Sequence, residues 1–208
     1  MTSRALFLPG AGGAAGFWHP VGACLPAPLD KVYFAWPGLG DQPADPDVRG
    51  FDDLVALVEA ELTEPCDLVA QSMGGIVAVR VALRHPDKVR RLVLVATSGG
   101  VDVARFGAAD WRSEYRREFP GASAWVTSER PDHTNEIGRI GAPTLLVWGD
   151  SDPISPVAVG EHLASLLPNA TLRVIRGGTH GMAAELPDDV APLIAAHLGL
   201  VSKAAPES

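Results

Sequence analysis

A regular alternation of short apolar runs with segments of helical spacing constrains this chain more than any other feature. That pattern belongs to a parallel sheet whose strands are joined by crossover helices. Arg4 to Pro9 reads as a buried strand ending in the turn Gly10-Ala11-Gly12-Gly13, and Trp18 to Leu25 as a short helix. Val32 to Trp36 reads as a second strand, closed by Pro37-Gly38-Leu39-Gly40, and Pro43 and Pro46 keep the loop from Asp41 to Gly50 out of a helix. Phe51 to Glu64 carries apolar residues at Phe51, Leu54, Val55, Val58 and Leu62, the spacing of an amphipathic helix, and Pro65 ends it. Cys66 to Ala70 is the third expected strand, Met73 to His85 the next helix, and Val89 to Ala96 the fourth strand. Its uninterrupted run Leu92-Val93-Leu94-Val95-Ala96 suits a central strand covered on both faces. Pro143 to Trp148 and Leu172 to Ile175 complete the strands. Pro156 to Leu167, with Ser155 as N-cap, and Leu186 to Leu198 complete the helices.

The length of 208 residues suits one domain spanning 1–208. Between Gly99 and Arg139 the alternation stops, in a segment of mixed charge holding Phe106, Trp111, Tyr115, Phe119 and Trp125. This stretch, 99–139, reads as an insertion within the domain. A net charge of -8 argues against nucleic acid, whose phosphates call for a basic surface. No apolar run approaches bilayer length, and the N-terminus lacks the apolar stretch of a signal peptide, so a cytoplasmic, membrane-free protein is expected. Cys24 and Cys66 make no disulfide framework and are expected as buried free thiols, without a metal-ligand pattern nearby. The tail after Leu200 is expected to fray.

Chemistry enters at Val69-Ala70-Gln71-Ser72-Met73-Gly74-Gly75, between a strand and a helix. A nucleophile in such a sharp turn is pushed out above the sheet on a strained backbone. The turn brings the residues two before and two after the serine together, so both must be small; here they are Ala70 and Gly74. Alanine departs from the usual Gly-x-Ser-x-Gly pattern by one methyl group. A serine that merely caps a helix is the plainer alternative for the turn taken alone.

A serine hydroxyl needs a base oriented by a third group. His180 follows the last strand in Gly177-Gly178-Thr179-His180-Gly181-Met182, at the strand end where ligands of open parallel sheets collect. Asp152 stands in the equivalent place after the fifth strand, with Asp150 as its rival. The chain order Ser, Asp, His matches the expected triad order. Of the other histidines, His85, His133, His162 and His197 read as surface or capping residues, whereas His19 follows the glycine loop and is a pocket candidate. Two backbone N–H donors must face the developing oxyanion. Met73, after the nucleophile, is one, and Ala11 in the glycine loop the other.

These motifs together resemble the α/β-hydrolase superfamily, close to its small carboxylesterase-like branch. The resemblance rests on Leu8-Pro9-Gly10-Ala11-Gly12-Gly13, the turn at 37–40, Gln71-Ser72-Met73-Gly74-Gly75 and His85-Pro86-Asp87-Lys88-Val89-Arg90-Arg91-Leu92-Val93-Leu94. It continues through Pro143-Thr144-Leu145-Leu146-Val147-Trp148-Gly149-Asp150-Ser151-Asp152 and Gly178-Thr179-His180. It implies an α/β-hydrolase fold of about six mostly parallel strands flanked by helices, with Ser72 at the topological switch point. Pro9 stands where the family commonly has histidine. The family's N-terminal antiparallel hairpin has no counterpart, and 99–139 is a short version of its helical cap. A short cap implies an exposed serine and a small ester or thioester, cleaved through an acyl-enzyme without cofactor or metal. Trp18, His19, Trp111, Trp125 and Met182 are the candidate substrate contacts. Serine at position 72 argues against dehalogenase or epoxide-hydrolase chemistry. Carbon–carbon bond hydrolysis, cofactor-free perhydrolysis and small-ligand binding stay open as alternatives.

Overall fold

The computed structural model describes residues 3–200. Its six strands are β1 (Ser3–Leu8), β2 (Leu29–Tyr33), β3 (Cys66–Gln71), β4 (Val89–Val95), β5 (Thr144–Gly149) and β6 (Ala170–Ile175). They form one sheet in the order β2-β1-β3-β4-β5-β6, and every ladder among the described residues is parallel. Strands β3 and β5 are buried along their whole length, and β4 is buried from Leu92 to Val95, where its apolar run lies.

The helices are α1 (His19–Cys24), α2 (Phe51–Ala60), α3 (Met73–Arg84), α4 (Arg112–Glu118), α5 (Trp125–Ser128), α6 (Val157–Leu166), α7 (Met182–Glu185) and α8 (Pro187–Leu198). Strand side chains alternate between two faces, so each strand feeds two cores. Leu6, Leu8, Leu68, Leu92 and Leu94 pack with residues of α2, α3 and α6. Ala5, Phe7, Val69, Val93 and Val147 pack with residues of α1, α7 and α8 on the other face. The strand order reverses at β1 and β3, which lie side by side although β2 intervenes in sequence. Loops leaving such a reversal diverge to opposite faces and open a crevice at the strand ends. The glycine loop after β1 and the turn after β3 therefore meet there.

Several expectations need correction. Strand β2 begins at Leu29 and stops at Tyr33, because Trp36 turns inward and its indole donates to the Pro9 carbonyl at 2.7 Å. Helix α6 begins at Val157 with Pro156 in the capping position and no side-chain cap. The Ser155 hydroxyl is occupied otherwise: it accepts from the Trp148 indole at 3.1 Å and donates to the Thr97 carbonyl at 3.3 Å. Cys66 is buried but Cys24 is exposed, since α1 is a short surface helix. His133, expected at the surface, is buried at 4% exposure. The tail after Leu200 lies outside the described residues. No helix among them is long and apolar enough to cross a membrane.

Candidate active site

Ser72 links β3 directly to α3 and sits at φ 52° and ψ -123°, a region that L residues seldom occupy. Its surroundings hold it there. The Ser72 N–H donates to the Val95 carbonyl at 3.0 Å, and its own carbonyl accepts from the Gly75 N–H at 2.9 Å and from the Thr97 hydroxyl. The demand for small residues has a direct cause. A Cβ on Gly74 would lie 2.4 Å from the Pro9 carbonyl oxygen, and one on Gly75 would lie 2.4 Å from the Thr97 hydroxyl. The departure at Ala70 is accommodated, fully buried, within β3.

His180 arrives from the loop after β6. Its Nε2 lies 2.9 Å from Ser72 Oγ and its Nδ1 lies 2.8 Å from Asp152 Oδ2. A carboxylate only accepts, so Nδ1 carries the proton and Nε2 is left to accept from the serine hydroxyl. The other carboxylate oxygen of Asp152 accepts the N–H groups of Ile154 at 2.8 Å and Ser155 at 3.1 Å. The acid is 5% exposed and therefore fixed on both oxygens. Asp150, the rival, is exposed and engaged elsewhere: it accepts the Gly177 N–H at 2.6 Å and closes the loop between the strands. The two loops touch main chain to main chain, for a Cβ on Gly149 would lie 2.0 Å from the Gly178 carbonyl oxygen. Gln71 adds a tie, donating to the His180 carbonyl at 3.0 Å.

The glycine loop lies across from this row. Gly13 N–H donates to the Gly10 carbonyl at 3.0 Å and closes a turn with Ala11 and Gly12 at its corners. Neither Ala11 nor Met73 uses its N–H in a hydrogen bond with a described residue. Met73 heads α3, where the first N–H groups have no partner inside the helix. With Pro9 in place of histidine, the loop is steadied by the Trp36 indole on the Pro9 carbonyl and the Tyr115 hydroxyl on the Ala11 carbonyl.

Two cavities meet at Ser72 and His180, one of about 400 Å³ and one of about 510 Å³. The first runs under the 99–139 segment, between Phe51, Ile76, Val101, Val126 and the charged Arg112 and Arg130. Burial, and then the neighbouring Arg112, lower the Arg130 pKa. The second runs along the glycine loop past Phe17 and Tyr115. Trp111 and Ile154, with Ser72 and His180, line both.

The remaining candidate contacts fall elsewhere. Trp18 is fully buried and donates its indole N–H to the Leu8 carbonyl at 3.0 Å. His19 lies edge-on to Tyr33, 4.9 Å between centroids, on the face bearing α1. Met182 is fully buried beneath Gly178 in the core on that side. Trp18 and Met182 belong to packing because short helical turns after the loops carry them back onto the sheet, while His19 stays exposed on α1. Trp125 packs edge-on against Phe51, which lines the first cavity, and does not line it itself. Sequence reasoning missed Gln71, Ile154 and Arg112, and it placed Tyr115 only among the aromatics of 99–139, without the hydrogen bonds that bring it to the glycine loop. Among the described residues no cluster of His, Cys, Asp and Glu has the geometry of a metal site.

Comparison with known proteins agrees with this fold. Residues 5–193 match the profile of the Alpha/beta hydrolase family. A pimeloyl-[acyl-carrier protein] methyl ester esterase of Neisseria meningitidis serogroup C is 30% identical over 75% of this chain and 78% of its own. A thermophilic esterase from Thermogutta terrifontis superposes with a TM-score of 0.76 at 23% identity, covering 96% of this chain and 90% of that one. A mutant of the meta-cleavage product hydrolase CumD superposes at 0.75 with 18% identity, over 97% of this chain and 92% of its own. At those identities the two structures speak for the fold alone.

Proposed function

We propose, from the premise that the chain belongs to the alpha/beta hydrolase family, that this enzyme cleaves a small carboxylic ester or thioester through an acyl-serine intermediate. The observation that carries the reading is the unbroken hydrogen-bonded row from Asp152 through His180 to Ser72, facing two unused backbone donors. Ser72 Oγ adds to the acyl carbon while its proton passes to His180 Nε2, and Asp152 stabilises the resulting imidazolium. The carbonyl oxygen, now anionic, accepts from the Ala11 and Met73 N–H groups, each such donor being typically worth about a hundred- to a thousandfold in rate. Collapse expels the alcohol or thiol, which takes the proton from His180. Water then repeats the sequence and releases the acid.

The two cavities give the acyl and leaving groups separate room, and their sizes suit small-molecule ligands. The 99–139 segment acts as the short cap, and its Trp111 lines both cavities. An esterase among the relatives supports ester over carbon–carbon cleavage. The test is turnover of a short p-nitrophenyl ester and labelling by a fluorophosphonate, beside Ser72→Ala. Loss of the nucleophile is expected to lower turnover on the order of a millionfold, as for triads generally, and to abolish labelling. A wild-type protein that neither turns over nor labels would overturn the reading and favour ligand binding.

A further inference from the structure

Tyr115 stands apart from the residues the mechanism uses, yet its hydroxyl joins three parts of the molecule. It donates to the Ala11 carbonyl at 2.9 Å and accepts from the Gly40 N–H at 2.9 Å. Its ring, buried at 7% exposure in α4, packs against Trp111 and Phe119. One phenol thus connects the 99–139 segment, the turn at 37–40 and the glycine loop, using both its donor and its acceptor capacity. The turns it connects already press together, since a Cβ on Gly40 would lie 2.1 Å from the Gly12 carbonyl oxygen.

The turn at Gly10-Ala11-Gly12-Gly13 gives that bond a consequence. Neither Ala11 nor Gly12 has positive φ, and the Gly13 N–H bonds back to the Gly10 carbonyl. Those are the marks of a type I turn. Its close relative, type II, differs by rotation of the middle peptide, here Ala11–Gly12, and needs positive φ at the second corner. Gly12 permits that rotation at little steric expense. The Tyr115 hydroxyl opposes it by holding the carbonyl of that same peptide. We infer that Tyr115 is a positioning residue: by holding the Ala11 carbonyl it keeps the turn that also carries the Ala11 N–H in one conformation, and it ties that turn to the cap. This rests on the serine-hydrolase reading above.

The experiment compares Tyr115→Phe, Tyr115→Gln and Tyr115→Phe combined with Gly12→Ala, each normalised to fluorophosphonate-titrated sites. Phenylalanine keeps the ring and removes the hydrogen bonds; glutamine supplies a donor and an acceptor on a shorter reach. A Cβ at Gly12 meets nothing within 4 Å, and alanine there disfavours the positive φ of the flipped turn. In Tyr115→Phe, kcat is expected to fall about tenfold, below the hundredfold or more of an entire donor, with KM within about twofold. Affinity for an alkyl trifluoromethyl ketone, whose carbonyl adds Ser72 Oγ to form a bound oxyanion, should fall by the same factor. Tyr115→Gln should lie between, and Gly12→Ala should restore part of both losses. Any two folded variants suffice for the correlation. Unchanged kcat, or a fall in kcat without weaker ketone binding, or no rescue by Gly12→Ala would overturn the inference while leaving the hydrolase reading intact. An inactive, unlabelled wild type would instead remove that reading.

Discussion

On the sheet side of Ser72 the site is held closely by main chain, whereas on the facing side short helices and side-chain contacts carry much of the cavity wall. The serine turn is wedged by Gly74 against the carbonyl of Pro9, the acid takes two backbone N–H groups, and the Gly149 and Gly178 loops are in direct contact. The 99–139 segment has only short helices, seven residues in α4 and four in α5. Two main-chain bonds tie it to the body, from the Ala109 N–H to the Pro153 carbonyl at 2.7 Å and from the Ser123 N–H to the Gly38 carbonyl at 2.8 Å, and side chains add the Tyr115 hydroxyl and the Glu129 carboxylate on the Phe51 N–H at the start of α2. Backbone contacts survive most substitutions, and side-chain contacts do not. Chemistry and selectivity should therefore respond to mutation in different ways.

The largest expected effect tests the sheet side. Asp152→Asn preserves the fold but removes the charge that fixes the His180 tautomer. Turnover of a p-nitrophenyl ester should fall about ten-thousandfold, as in triads of this kind, with little change in thermal midpoint. A loss of only a few-fold would move the role to Asp150 and break the comparison. The facing side is tested by Trp111→Ala, which widens the two cavities where they meet. The ratio of kcat/KM between a long and a short acyl ester should shift about tenfold, within the range expected of a changed apolar pocket. Fluorophosphonate labelling of Ser72 should stay within about threefold. Equal losses on all substrates would mean that Trp111 serves the chemistry instead.

The smallest effect concerns His133, whose buried ring has an unpartnered Nε2. Burial, with Arg80 and Arg84 of α3 nearby, holds its pKa below the usual imidazole value against the opposing pull of Glu136 and Asp132. The unfolded chain takes up a proton near pH 6.5 that the folded chain resists. The contribution to stability is accordingly whole above about pH 6.5 and is lost as the pH falls towards the depressed folded value. The thermal midpoint should drop between pH 7 and pH 5, and His133→Gln should flatten that drop. An unaltered slope would place the sensitivity elsewhere.

What could be read from the residues alone follows the same division. The strands, their order of use and the grouping of Ser72, Asp152 and His180 are legible because periodicity and glycine-rich strand ends are local signals. Trp18, His19 and Met182 show the limit, since lying next to a functional loop in sequence does not say which face of the sheet a side chain takes. The hydrogen bonds of Gln71 and Tyr115 were hidden for another reason. Each acts on a carbonyl more than a hundred residues away, at His180 and Ala11 respectively. His133 had no local mark of burial because Gly100, at φ +87°, supplies the space its ring fills.

The backbone contact between Gly149 and Gly178 works as a fixed ruler for the reach from acid to base. That measure lies largely in the main chain, outside 99–139, so the segment facing the serine can change without resetting it. A lineage or a designer altering which substrate is accepted starts each time with the Asp152–His180 pair already in register.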